Sequence, residues 1–361
     1  MKRVLVLTKY DDLGASSRVR FLQYESLLKN NGIEMVIRPL LCNSYLKSIY
    51  SGEKISKLYL IKAYIKRCLV LFDIKSFDFV WLEKEIFPGL PAIFERILCY
   101  SGVSVVVDYD DATFHSYDMS SSKLFRFFLS KKIDNVAKYS THVVVGNKYL
   151  EKRLQRSNRN ITLIPTTIVE ASYSFLKEEV PTGDDSQRPV IGWIGTPYTQ
   201  KYLTGVSEII DRLSENFSFT LLLIGANDNA KEFFKSTNVQ VNKWTKDQEV
   251  NSLNKIDIGI MPLPNESWEM GKCGYKLIQC MALGKPVVGS DVGVNRDIIS
   301  LLGSGYVASN EAEWYESLAI LLSDDSVRQE CSINASKTIR LNYTAESQIQ
   351  RLMFIFKNLK H

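Results

Sequence analysis

Along this chain, short and continuously apolar runs alternate with longer stretches in which apolar positions recur at helical spacing. RVLVLT (3–8), EMVIR (34–38), FDFVWLE (77–83), VSVVVDYD (103–110), THVVVG (141–146) and ITLIP (161–165) predict strands. Runs apolar at consecutive positions suit strands covered on both faces, as in a parallel sheet. Between them lie amphipathic stretches such as SSRVRFLQYESLLKNNG (16–32), which predicts a helix stopped at Gly32. Residues 170–189 break the rhythm with Pro181, Gly183, Asp184, Asp185 and Pro189 and predict a loop or linker. The alternation then restarts in PVIGWIG (189–195), FTLLLIG (219–225), VQV (239–241), IDIGIMPL (256–263) and PVVGS (286–290). Two such series predict an α/β protein of two doubly wound, Rossmann-like domains facing each other across a cleft. The expected boundaries are 1–170, a linker over 171–188, a second domain over 189–343, and a C-terminal helix over 344–361 that packs back on the first domain. Ligands of such sheets bind beyond the carboxyl ends of the strands, so the strand-end residues are the candidates.

Charge changes the picture more than composition does. A hydrophobic content of 45% and a charged content of 24% are ordinary for a globular chain, but the net charge of +5 is unevenly spread. Residues 1–170 hold 26 Lys and Arg against 17 Asp and Glu, and the remainder hold 19 against 23. No nucleic-acid-binding signature accompanies the basic half. Two stretches concentrate its charge: 44–72 has six basic residues and one Glu, and 122–132 has four basic residues and three Phe. Basic helices with apolar faces suit an anionic membrane surface, and equally a packed helix with a solvated basic face. Six scattered cysteines and three histidines show no metal-ligand spacing, so reduced thiols in a cytoplasmic protein are expected. The N-terminus carries no secretory pattern, and no run reaches the roughly 18–20 apolar residues of a membrane span, so no integral membrane protein is expected.

The densest chemistry lies in GKCGYKLIQCMALGKPVVGSDVG (271–293). Lys272 and Lys276 flank a helix start, where the positive end of the helix dipole disfavours cations unless an anion offsets them. With Gly271, Cys273, Gly274 and Tyr275 they predict a cup for a phosphate or diphosphate; the alternative is that the lysines point into solvent. GWIGTPYTQKYL places Gly195 and Thr196 at a strand end, with Lys201 following, a second phosphate-friendly turn. In DDLGASSRVR, Gly14 and Ser17 precede or open a helix carrying Arg18 and Arg20; an anion or an exposed helical face fits both arginines. VDYDDATFH sets Asp108, Asp110 and Asp111 at a strand end. Asp108 and Asp110 could hold a divalent ion, or one aspartate could orient or deprotonate a hydroxyl. The second reading is preferred because phosphate-binding elements already exist in the other half. Asp111 could also cap the following turn.

Taken together, GWIGTPYTQKYL, Trp244 and KIDIGIMPLPNESWEMGKCGYKLIQCMALGKPVVGSDVGVNRDII resemble the nucleotide-sugar domain of GT-B glycosyltransferases. They are similar in particular to glycosyltransferase family four (group 1), in its bacterial surface-polysaccharide branch. GASSRVRFLQY, EKEIFPGLP and VVVDYDDA resemble the same branch, so the likeness spans nearly the whole chain.

The resemblance implies a hexosyltransferase that moves a sugar from a UDP-, GDP- or dTDP-sugar to a lipid-linked or surface glycan, in O-antigen, capsule or lipopolysaccharide synthesis. It implies retention of anomeric configuration. Because Lys276 and helix N–H groups would meet the diphosphate charge, no metal or cofactor is expected to be required. The expected donor-binding residues are Gly195, Thr196, Lys201, Trp244, Lys272, Cys273, Gly274, Tyr275 and Gln279. Asp110 is expected to face the acceptor, with Gly14, Ser17, Arg18, Arg20 and Asp111 serving acceptor or phosphate. The family's two glutamates, eight positions apart, fall on Gly271 and Gln279; Gln279 can still bond a ribose hydroxyl, and nearby Glu269 is the candidate for the sugar contact. The family's arginine falls on Thr196 and its lysine on Lys201. The expected location is peripheral, on the inner face of the cell membrane. A nucleotide-sugar 2-epimerase of the same architecture and a catalytically silent binding partner are the alternatives.

Overall fold

The computed structural model describes residues 1–173 and 188–359, so most of the predicted linker lies outside the described residues. The chain divides into two compact units. The first comprises Met1–Thr166, Gly271–Cys273 and the C-terminal stretch from Gln348; the second comprises Thr167–Met270 and Gly274–Ser347.

The first unit holds a parallel six-stranded sheet of β1 (Lys2–Leu7), β2 (Ile33–Ile37), β3 (Phe79–Glu83), β4 (Ser104–Tyr109), β5 (His142–Val145) and β6 (Ile161–Leu163). Their order is β2-β1-β3-β4-β5-β6, which places the reversal of winding between β1 and β3. Every residue of β3 and β4 is buried, as their unbroken apolar runs require of a sheet covered on both faces. On one face Phe21, Phe79, Trp81 and Phe356 form an aromatic cluster, with Phe21–Trp81 centroids 4.5 Å apart and Phe79–Phe356 4.7 Å. Each such pair contributes about 0.5–1.5 kcal/mol beyond its buried area. Phe21 also interrupts the helix predicted over 16–32. Its φ of −127° ends Ala15–Arg20, and a 3-10 turn leads into Glu25–Asn30. Burial of that ring outweighs continuation of the helix. The basic stretch 44–72 is likewise two helices, Asn43–Tyr50 and Lys57–Phe72.

The second unit repeats the architecture with β7 (Val190–Ile194), β8 (Thr220–Ile224), β9 (Val239–Asn242), β10 (Ile258–Met261), β11 (Val287–Ser290) and β12 (Gly305–Ala308). The order is β12-β11-β10-β7-β8-β9, and winding reverses between β7 and β10. β12 was not predicted, because GYVA is short and its first three residues are only partly buried. Alternation along β7 sends Ile191 and Trp193 into one core layer with Leu213 and Leu318, and Ile194 into the other with Leu277 and Met281.

Candidate active site

In the first unit the carboxyl ends of β1, β3 and β4 bring acidic and basic side chains together beside the reversal point. Glu83 ends β3 and is buried; its Oε2 accepts from the Lys9 backbone N–H at 2.7 Å and the Ser17 hydroxyl at 2.6 Å. Lys84 follows with φ +61°, the one positive-φ residue other than glycine among the described residues. That conformation costs on the order of 1 kcal/mol. It is held by an ion pair from Lys84 Nζ to Asp110 Oδ1 at 2.8 Å and a bond to Ser16 Oγ at 3.3 Å. Burial pushes the Asp110 carboxyl up, but the Lys84 ammonium and the Ser16 hydroxyl hold it below its ordinary value. Asp110 is therefore ionised at neutral pH, better suited to orient a hydroxyl than to take its proton. Burial would lower Lys84, yet Asp110, Asp111 and Glu83 keep it above its ordinary value. Lys84 was missed in the sequence. Its signal was position alone, directly after a strand that borders the reversal point.

Three expectations for this edge change. Arg20 does not meet a ligand anion: it is buried, with Nε 2.8 Å and Nη2 3.1 Å from the two Asp108 oxygens and Nη1 2.9 Å from the Ile164 carbonyl. Ser17 is buried against Glu83. The one-turn period of the Ala15–Arg20 helix turns Ser17 and Arg20 inward, while Arg18 stays partly exposed and bonds the Asp12 carbonyl at 3.3 Å. Asp108 is thus closed by Arg20 on both oxygens and is not available to an ion shared with Asp110. Burial pushes its carboxyl up to about 6, against the pull of Arg20.

Gly271–Cys273 join this same unit. The Asn147 amide donates to the carbonyls of Gly271 at 2.9 Å and Lys272 at 3.1 Å, and the Cys273 thiol donates to the Asp110 carbonyl at 3.1 Å. Lys272 Nζ lies 3.6 Å from Asp111 Oδ1. Lys272 and Lys276, neighbours in the predicted cup, thus have different partners. Burial raises the Cys273 thiol well above its ordinary value, so it stays protonated.

In the second unit the helix Tyr275–Ala282 begins at Gly274, whose φ of +67° is the left-handed conformation glycine adopts freely. A Cβ there would also lie 2.3 Å from Ile298 Cδ1. One residue into the helix, Lys276 reaches the end of β7. Its Nζ is 4.4 Å from the Trp193 ring centroid and 3.5 Å from Thr199 Oγ1, and only 2.8 Å from where a Cβ on Gly195 would stand. Gly195 is therefore the gap through which the ammonium approaches the strand end. Thr196 is exposed, its N–H donating to Thr199 Oγ1 at 3.0 Å. At Gly225, which ends β8, a Cβ would lie 2.3 Å from the Gly195 carbonyl oxygen and 3.1 Å from Trp244 Cβ. The ends of β7, β8 and β9 thus carry Gly195, Thr196, Lys276 and Trp244 in one neighbourhood, with the Trp244 indole donating to Glu249 Oε2 at 2.7 Å.

The remaining candidates stand slightly apart. Glu269 is buried; its Oε1 accepts from the Tyr202 hydroxyl and its Oε2 has no hydrogen-bond partner. Gln279 is buried, and its amide reaches the Tyr173 hydroxyl at 3.5 Å. Lys201 is exposed over the rings of Tyr198 and Tyr202, at 5.1 and 5.4 Å. A separate cavity of about 480 Å³, lined by Lys201, Tyr202, Pro262, Asp291 and Trp314 among others, does not include Gly195, Lys276 or Trp244.

Residues 188–324 match the family model described as Glycosyl transferases group 1. No curated protein matches the sequence. Several solved structures share the fold. Sucrose-phosphate synthase from Thermosynechococcus elongatus superposes with a TM-score of 0.72 at 12% identity, covering 99% of this chain and 98% of the other. HepE from Anabaena in complex with UDP-glucose gives 0.71 at 11%, covering 99% and 100%. WaaG, a glycosyltransferase involved in lipopolysaccharide biosynthesis, gives 0.69 at 15%, covering 98% and 99%.

Proposed function

We propose that this chain, a glycosyltransferase of GT-B fold, moves a hexosyl group from a nucleoside-diphosphate sugar held by its second unit to a glycan acceptor held by its first. The carrying observation is Lys276, whose ammonium stands at the glycine that ends β7 while its backbone opens the Tyr275–Ala282 helix. Glycosyl transfer leaves negative charge on the departing diphosphate. An ammonium and helix N–H groups aimed there stabilise that charge as it develops. In this reading no metal ion is needed and the anomeric configuration is retained. Trp244 flanks the base, Glu269 meets the donor sugar through its unpartnered oxygen, and ionised Asp110 orients the acceptor hydroxyl. The UDP-glucose in the HepE structure supports the donor class.

Incubating the chain with UDP-, GDP- and dTDP-sugars and an acceptor glycan should release one nucleoside diphosphate in an acceptor-dependent way. Turnover of donor with no acceptor would assign an epimerase, and no turnover with any donor would overturn the enzymatic mechanism proposed here.

The acceptor in this reading is a lipid-linked or surface glycan of bacterial O-antigen, capsule or lipopolysaccharide synthesis, reached from the inner face of the cell membrane. The likeness to WaaG supports this. So does the surface of the first unit. Leu58, Ile61, Ile65, Leu69 and Phe72 are exposed along one stripe of the Lys57–Phe72 helix, and Leu124, Phe127 and Phe128 are exposed on Lys123–Leu129. A cavity of about 430 Å³ opens between Ile61, Ile65 and Phe94. Exposed Lys54, Lys57, Lys62 and Lys66 accompany the stripe. Arg67 and Lys132 are exceptions within the basic stretches: Arg67 donates to the Thr8 carbonyl and Lys132 pairs with Glu85 at 2.7 Å, both buried. Among the described residues no helix is long and apolar enough to cross a membrane. Sedimentation with anionic vesicles should fall steeply as salt rises from 0.1 to 1 M, where the screening length drops from about 10 to about 3 Å. Equal binding to neutral vesicles would exclude the electrostatic part of this docking.

A further inference from the structure

The turn after β1 carries a cation and an aromatic row that the donor chemistry does not use. It is held rigidly. Lys9 donates its N–H to Glu83, Tyr10 donates its N–H to Ser17 Oγ at 3.1 Å, and Arg67 Nη2 donates to the Thr8 carbonyl at 2.6 Å. Asn43 fastens the next helix to the same turn, its amide donating to Asp12 Oδ1 at 2.6 Å and its Oδ1 accepting from the Leu13 N–H at 3.1 Å. The result is a stack of partly exposed rings: Tyr10 and Tyr45 lie 6.2 Å apart at 26°, and Tyr45 and Tyr59 lie 6.1 Å apart at 17°. Gly14 makes room for the first ring, since a Cβ there would come within 2.4 Å of Tyr10 Cβ.

At the inner end of this row, Lys9 Nζ lies 5.2 Å from the Tyr10 ring centroid. Lys84 is neutralised by Asp110, whereas no described carboxylate lies within 4 Å of Lys9 Nζ. Desolvation and the neighbouring Lys84 both press the Lys9 ammonium below its ordinary value, although Glu85 and Glu83 act the other way. An anion seated there would relieve that repulsion. Flat aromatic faces beside it present apolar area to the C–H faces of a pyranose ring, and the phenolic hydroxyls can bond its hydroxyls.

We propose that Lys9 and the Tyr10–Tyr45–Tyr59 row form an acceptor subsite for a sugar residue bearing a phosphate or carboxylate group. This rests on the glycosyltransferase reading in which the first unit takes the acceptor. It adds that the acceptor is anionic close to the turn after β1.

The test is titration calorimetry of the full chain with 6-phosphates of glucose, galactose, mannose and N-acetylglucosamine, with glucuronate and galacturonate, with the parent hexoses, and with inorganic phosphate. UDP is titrated alongside. At least one anionic sugar should bind about tenfold or more tightly than both its parent hexose and inorganic phosphate, the scale of one charge-assisted bond. Phosphosugars and uronates together distinguish the two sources of charge. Lys9→Met and Tyr45→Leu should each weaken that binding about tenfold, Lys9→Arg should largely restore it, and UDP affinity should stay unchanged in all three. Anionic sugars that bind no better than phosphate, or binding unaffected in Lys9→Met, would overturn the subsite. Failure of UDP to bind the unaltered chain would instead sink the donor reading and leave this comparison intact.

Discussion

Lys276→Ala is expected to lower turnover by about a hundredfold, the scale seen when one preorganised donor to a developing charge is lost. The ammonium faces more negative charge in the transition state than in the bound donor, so turnover suffers beyond the loss of donor affinity. The fold should persist. Removing a cation from the first helical turn relieves a few tenths of a kcal/mol of dipole repulsion, against a cation–π contact with Trp193 of about 0.5–2 kcal/mol. Thermal unfolding of the variant should therefore differ little from that of the parent. Lys57→Ala, on the exposed basic helix, is the matched control and should leave turnover with a water-soluble acceptor unchanged. Normal turnover in the Lys276 variant would move the diphosphate site away from Gly195.

Arg20→Met should reduce stability at pH 7 by about 3–5 kcal/mol, because Asp108 loses its partner and must either keep a buried unpaired charge or take up a proton on folding. Arg18→Met, two positions earlier on a partly exposed side chain, should cost less than about 1 kcal/mol. The loss in Arg20→Met should also depend on pH. With Arg20 present, burial already raises the Asp108 carboxyl from 3.8 to about 6, and removal of the guanidinium removes the opposing pull. A carboxyl that holds its proton more tightly folded than unfolded contributes most favourably below its unfolded value, near pH 4. That contribution is lost as pH rises through the folded value, by up to about 1.4 kcal/mol per unit. Urea unfolding of the variant at pH 4 and pH 7 should show the smaller loss at pH 4. A pH-independent loss, or equal losses for the two arginines, would contradict the buried pair.

These two arginines mark how far the linear chain could be read. Periodicity determined most of the elements, since a strand covered on both faces must be apolar at every position and a helix on one stripe must repeat near 3.6. Hence eleven strand positions and the two doubly wound sheets were legible, as was the glycine-led helix at 275 with its misplaced lysine. Side-chain partners were not legible. Arg18 and Arg20 are the same residue type on one short helix, and only packing against β4 turned one of them into the buried partner of Asp108. Lys272 and Lys276 form one cluster in the sequence, yet Asn147 and Asp111 hold the first while Trp193 and Thr199 surround the second. Lys84 offered no pattern at all, because its role depends on a positive φ stabilised by a carboxylate 26 positions away. Local spacing sets which face a residue occupies, but charges find their partners through long-range contacts. Those contacts exist only once the sheets have closed.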